Sequence, residues 1–439
     1  MPFALKARFI VPVAGEPISG GVVVVDQGRI VGVERDAPGG IDVIDLDAHN
    51  KVTGGGVVLL PGFVNAHTHL EFSELNVPLG RRGISFPDWI RALIAHRLEI
   101  DSPPAPETIR RGLLECLRSG TTAVGEIAPN RWPWGALDEE RVVAADHPHL
   151  TLFREFLGLP AERVEQTEAE LRELEAHFAA GRTNASLAVS PHAPYSTHWE
   201  MAEEICMYAR RHDVPLAMHL AESREELELL QSHTGPFRTL LADLGVWNPR
   251  GIPLGSRPLD YLRLLATSPC SLVVHANYLN DEEIDFIAQQ RQRMSVVFCP
   301  RTHDYFEHDP HPLLKLIERG AQVVLGTDSR ASNPDLSLLE EMRQVAKVFP
   351  SLASDAVVRM GTLASAGALR RQGESGSIEV GKRADFAVVA LDETVRNPYE
   401  SVVQSGHPNV ATYIGGKCVY NCRNDHHTDP SKAIGEERI

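Results

Sequence analysis

The chain has 439 residues, with 59 acidic and 43 basic side chains, a formal net charge of −16, and a 43% hydrophobic composition. These values exclude a fibrous or disordered chain. The acidic balance argues against nucleic-acid or anionic-membrane partners, which are held chiefly by Lys and Arg.

The opening stretch MPFALKARFIVPVAGEP has a five-residue apolar run broken by Pro12, too short for a signal-peptide core, and no apolar run of about 18 residues follows anywhere. A cytoplasmic protein with no membrane-spanning segment is expected. The six cysteines, Cys116, Cys206, Cys270, Cys299, Cys418 and Cys422, lack CxxC spacing and read as reduced core thiols.

Residues 1–58 are rich in β-branched residues and glycine, and GGVVVVDQGRIVGVE predicts two strands joined at Asp26-Gln27-Gly28. Strand-like runs between glycine turns return over 366–425, so the two ends are expected to form one discontinuous β-sandwich domain. Between them, over 59–365, eight apolar runs alternate with amphipathic stretches. That alternation predicts an α/β fold, a (β/α)8 TIM-like barrel, rather than a doubly wound sheet. Residues 426–439 lack apolar periodicity and read as a loose tail.

A His or Asp follows the apolar run in VVLLPGFVNAHTH (His67, His69), ASLAVSPH (His192), PLAMHLAE (His219), SLVVHANYL (His275) and AQVVLGTDS (Asp328). Each falls at the C-terminal end of its strand, the rim where barrel active sites are built. A single such histidine is usually a satisfied core group; repetition at one register is not explained that way. Period-2 alternation turns His67 and His69 to the same side. With His219 and Asp328 they make a nitrogen-rich set suited to Zn, Fe or another transition metal such as Mn, rather than Mg or Ca, with a position left for a water made acidic by the metal. Glu222, three residues after His219, is placed to shuttle protons, although a solvent-facing charge reads equally well on spacing alone. His275 is a further ligand or, preferably, a group that steadies the hydroxide.

The motifs PGFVNAHTHLEFS, SPHAPYS, MHLAES, VVHANYL and LGTDS together resemble the amidohydrolase superfamily, over nearly the whole chain. HLAE and SPHAPYS look like its mononuclear branch of adenosylhomocysteine, methylthioadenosine and guanine deaminases and triazine hydrolases. No lysine lies between Lys51 and Lys315, so the carboxylated-lysine bridge of binuclear relatives cannot form. The resemblance implies one metal on His67, His69, His219 and Asp328, with Glu222 as proton shuttle and His275 and Asp328 acting on the water. It also implies hydrolytic deamination of a purine nucleoside-like compound and a homodimer. Displacement of another group from a heteroaromatic ring, such as chloride from a triazine, is the alternative, and a catalytically silent binding protein a third reading.

The segment HTHLEFSELNVPLGRRGISFPDWIRALIAHR is similar to aminodeoxyfutalosine deaminases. Phe72, Trp89, Arg154, His192, Arg301 and His303 are candidates to line the substrate site. Phe86 and Trp89 read equally as helix core or as a stacking platform, and Arg154 and Arg301 as partners for a substrate carboxylate. Where the branch usually shows a CPxSN-like sequence, this chain has Cys299-Pro300-Arg301-Thr302-His303-Asp304-Tyr305-Phe306. Gly376–Lys382 has phosphate-loop spacing, but Arg383 replaces the required Ser or Thr, and it reads as a β-turn. HExxH, GxSxG and the HxE/PCxxC deaminase signature are absent.

Overall fold

A computed structural model describes residues 1–50, 52–100, 104–133, 147–179 and 185–422. The expected tail at 426–439 lies outside the described residues. The eight apolar runs form eight strands: β1 (Phe63–Thr68), β2 (Thr121–Ala128), β3 (His149–Phe156), β4 (Ser186–Pro191), β5 (Leu216–Leu220), β6 (Ser271–His275), β7 (Met294–Phe298) and β8 (Gln322–Leu325). Each pairs in parallel with the next.

The ring closes between β8 and β1. The backbone amides of Thr327 and Asp328 both donate to the His67 carbonyl at 3.1 Å. Asn65 locks the same seam, donating to Thr327 Oγ1 at 2.7 Å. A side chain at Gly326 would put its Cβ 2.8 Å from that of His67, so only glycine lets β8 approach so closely. The fold is the TIM-like barrel that the alternation predicts.

Small and branched side chains, among them Val64, Ala66, Ala188, Val274, Val297 and Val324, fill the barrel interior with Phe153. Outward-facing Leu150 and Leu152 pack on Ile109, Leu113 and Cys116 of the helix Pro106–Arg118. Each such apolar side chain removed from water contributes roughly 1.5–3 kcal/mol.

The chain ends build two further sheets. One holds Arg29–Glu34, Val22–Asp26, Phe3–Lys6 and Asp42–Asp45 in that spatial order. The other joins both ends of the chain: Lys417–Asn421, Asn409–Ile414, Phe386–Ala390, Val57–Pro61, Phe9–Ile10 and Ile18–Ser19. Leu5, Val23, Val25, Leu59, Phe386 and Val388 form a shared core. Gln27 (φ 48°) and Gly28 (φ 76°) make the two-residue turn expected after Asp26, both with positive φ as a tight hairpin of this hand requires. Of the six cysteines, Cys116, Cys206, Cys270 and Cys299 are buried, whereas Cys418 is exposed on the strand Lys417–Asn421 and so is not a core thiol.

Candidate active site

Strands that end at one rim must present their last side chains to a common space. The ring centroids of His67 and His69 lie 4.8 Å apart, those of His67 and His219 4.9 Å, and those of His69 and His219 5.5 Å. One nitrogen from each of these three imidazoles falls within 4.8 Å of the others. Asp328 Oδ1 stands 3.5 Å from His69 Nε2 and 3.7 Å from His67 Nε2. His275 joins from β6, its ring 5.4 Å from that of His219, and its Nε2 is 3.3 Å from Glu222 Oε1. The structure thus brings together His67, His69, His219, Glu222, His275 and Asp328.

Both ring nitrogens of His67 are buried without a hydrogen-bond partner in the protein. Such an orphaned pair costs free energy unless something else satisfies it. His219 donates its Nδ1–H to the His192 carbonyl at 3.0 Å, which fixes the tautomer and leaves Nε2 as a lone-pair donor. Burial, reinforced by neighbouring imidazoles, holds His69 and His219 well below the usual histidine range. Neutral, convergent imidazoles beside a carboxylate fit a divalent transition metal. Burial alone would raise Asp328, yet His67 beside it and the neighbouring imidazoles of His275 and His219 hold it down, to about 2.

Glu222 takes the opposite course. Burial, then the carboxylates of Asp328 and Glu226, push its carboxyl well above the ordinary range, which favours its protonated form. Several of these groups sit where the backbone is left-handed: Ala221 (φ 53°), His275 (φ 70°), Ala276 (φ 55°) and Asp328 (φ 57°). For non-glycine residues this costs roughly 1–3 kcal/mol each, a signature of functional sites that the surroundings must hold in place. Glu226 is one such holder. Its carboxylate accepts the amides of Ala221 at 2.8 Å and Glu222 at 2.9 Å.

A cavity of about 300 Å³ opens over this cluster. Phe72, Trp89, His192, Tyr195 and Phe237 are among its walls, together with Leu93, Leu240 and Leu241. Phe86 and Trp89 stack at 5.7 Å and 12°, and Tyr195 and Phe237 at 4.4 Å and 19°. Trp89 Nε1 is pinned to the Ala331 carbonyl at 3.0 Å. Phe86 and Trp89 are therefore both packed core and cavity wall.

Three residues expected near the substrate lie elsewhere. Arg154 points away from the barrel interior to Asn130 at 2.6 Å and Glu170 at 3.3 Å. Arg301 binds Asp335 at 2.8 Å and Asn333 at 2.5 Å, and its amide donates to Glu341 at 3.0 Å. His303 donates to the Asp309 carbonyl at 2.9 Å. In their place the structure brings Glu155 and Arg97 to the cavity. Glu155 follows from strand parity, since it shares the inward face of β3 with Phe153 while Arg154 alternates outward. Arg97 follows Trp89 and Leu93 at four-residue spacing on the helix Phe86–Ile100.

Residues 58–419 match the sequence profile of the Amidohydrolase family. The chain belongs to the amidohydrolase family. It is 30% identical over 394 residues to a 5-methylthioadenosine/S-adenosylhomocysteine deaminase of Desulfovibrio desulfuricans, covering 83% of this chain and 80% of that one. Its fold matches Helicobacter pylori aminofutalosine deaminase in complex with methylthio-coformycin (TM-score 0.79, 24% identity, 95% and 99% of the two chains). It also matches the zinc complex of atrazine chlorohydrolase from Arthrobacter aurescens (TM-score 0.75, 19% identity, 98% of each chain). This amidohydrolase is a hydrolytic enzyme whose relatives set the reaction as deamination at a carbon–nitrogen bond. Among the described residues no helix is long and apolar enough to cross a membrane.

Proposed function

We propose that this amidohydrolase deaminates a purine nucleoside-like compound, the candidates being aminodeoxyfutalosine, adenosylhomocysteine and methylthioadenosine, and that Glu222 moves the protons. The observation that carries the proposal is the buried Glu222, 3.3 Å from His275 and beside three convergent imidazoles under an aromatic cavity. His67, His69, His219 and Asp328 would hold one divalent cation, zinc in this reading. When bound, the ion supplies Lewis-acid activation of water at neutral pH.

The protein's own groups do the rest. The aromatic walls, with Phe72 and Trp89 among them, receive a flat heterocycle, and His192 offers a ring nitrogen at its edge. Ionised Asp328 and neutral His275 orient the water and accept its proton. Glu222 donates its proton to the ring nitrogen as water adds to the amino-bearing carbon. The proton taken from the water then passes to the amino group, ammonia leaves, and the hydroxyl proton of the adduct restores Glu222. The same equipment acts on other heteroaromatic leaving groups, and the product detected separates the two. A cytoplasmic homodimer completes the proposal.

The test is metal analysis with ammonia detection on adenosine, methylthioadenosine, adenosylhomocysteine, aminodeoxyfutalosine, guanine and cytosine. About one metal per chain and ammonia from a nucleoside are expected. Two tightly bound metals per chain, or chloride release from a triazine without any ammonia release, would overturn the reading.

A further inference from the structure

The segment that departs from the CPxSN-like pattern carries His303, and His308 and His311 follow within five residues of its end; none of the three lines the cavity. One of them nevertheless reaches the site from behind. His311 is buried, and its Nε2–H donates to the backbone carbonyl of His275 at 2.9 Å. Its ring lies on Phe298, the last residue of β7, with centroids 4.0 Å apart and planes at 24°.

His275 needs such a support. It ends β6 in a left-handed conformation and Ala276 continues in another, so the peptide between them occupies an orientation that an L-residue rarely adopts. The amide end of that peptide is tied to the backbone, Ala276 donating to the Leu220 carbonyl at 3.1 Å, and the turn beyond it by the Tyr278 amide, which donates to that of Ala221 at 3.1 Å; its carbonyl end is left to a side chain. Among the described residues, His311 supplies the one side-chain hydrogen bond to the His275 carbonyl. Rotation of that peptide would swing the His275 imidazole, which now stands 3.3 Å from Glu222 and 5.8 Å, centroid to centroid, from His67.

We infer that His311 is a positioning residue, which acts through the His275 carbonyl to hold the His275 imidazole against Glu222 and the three-histidine cluster. The inference rests on the hydrolytic reading above and adds to it a residue that touches neither substrate nor metal. Phe298 sets the plane of His311, and His311 sets the peptide.

The experiment compares His311→Phe, which keeps a ring on Phe298 but removes the donor, with His311→Gln, which keeps an N–H. Both are read by kcat, KM, metal content and the visible absorption of the cobalt-loaded protein. His311→Phe is expected to lower kcat roughly ten- to a hundredfold, to leave KM within about twofold and metal content unchanged, and to shift the cobalt band. His311→Gln should recover most of both signals. In a His275→Gln background, His311→Phe should add little further loss, because both changes act on one group.

A folded His311→Phe protein with wild-type kcat and cobalt spectrum, or equal losses in His311→Phe and His311→Gln, would overturn the assignment. Should His311→Phe fail to fold, Phe298→Leu takes its place. It loosens the ring and leaves the donor, and unchanged kcat and spectrum there would count equally against the inference. Absence of ammonia release from every nucleoside by the wild-type enzyme would refute the substrate proposal, while the cobalt spectra would still decide the role of His311.

Discussion

The Glu226 carboxylate accepts the backbone amide of Glu222 at 2.9 Å, so the side chain proposed to carry the proton is tethered by a second buried carboxylate four residues on. Ser223 Oγ caps the same helix by accepting the Glu226 amide at 3.3 Å, and the S-x-x-E pattern at Ser223–Glu226 is what ties the turn to the helix Arg224–Ser232. Glu226→Ala should lower kcat roughly ten- to a hundredfold by freeing the turn while metal content stays at wild-type level. Steady-state kinetics beside metal analysis checks this, and an unchanged kcat would show that the tether does not matter for turnover.

Glu222→Gln keeps the shape of the side chain and removes the transferable proton. Loss of turnover by roughly 10²–10⁴-fold is expected, with metal retained and substrate still bound. Equilibrium binding of a nucleoside to the variant separates this from a damaged site. Retained turnover would take Glu222 out of the mechanism.

Arg301 neutralises and orders a buried carboxylate. Its side chain is 12% exposed, that of Glu341 fully buried, and their closest contact is 3.5 Å. Removing one partner of such a pair leaves a charge uncompensated once Glu341, raised to about 7, is ionised, so Arg301→Ala should cost roughly 3 kcal/mol of stability in alkaline buffer. KM for acidic and neutral nucleosides should be unaffected relative to one another. A selective rise in KM for the acidic ones would return Arg301 to the substrate site.

Glu341 also predicts a pH dependence. Burial pushes its carboxyl up from 4.5 to about 7, against the opposing pull of Arg301 and Asn333. Between those values the folded chain keeps a proton that the unfolded chain has lost, so this contribution is full below the lower one and lost as pH rises through the upper. The slope approaches roughly 1.4 kcal/mol per pH unit. Denaturant titrations at a series of pH values should show a shallower loss for Glu341→Gln than for wild type. Parallel curves would mean that another group titrates.

The barrel and the cluster at its rim were legible because each functional strand breaks its own pattern: an apolar run that ends in His or Asp has a side chain the interior does not want. What escaped was decided by parity and by distant partners. Arg154 and Glu155 are neighbours in sequence, yet only Glu155 faces inward with Phe153 and lines the cavity, and the charge of Arg154 says nothing of that parity. Arg301 sits on the short helix Pro300–Tyr305, whose orientation follows from Glu341 on the helix Leu338–Val348, forty residues later. His311 acts on a backbone carbonyl, for which a sequence has no symbol.

The strand Val57–Pro61 lies between Phe9–Ile10 and Phe386–Ala390, and only Gly62 separates it from β1, which carries His67 and His69. During synthesis its partner at 386–390 leaves the ribosome after more than 300 further residues, tens of seconds later at about 5–20 residues per second. Throughout that interval the anchor of the histidine-bearing strand offers an open, apolar edge to any neighbouring nascent chain. The polypeptide thus leaves the strand that leads into its first histidine-bearing strand without its second partner until nearly its last β-strands have been made.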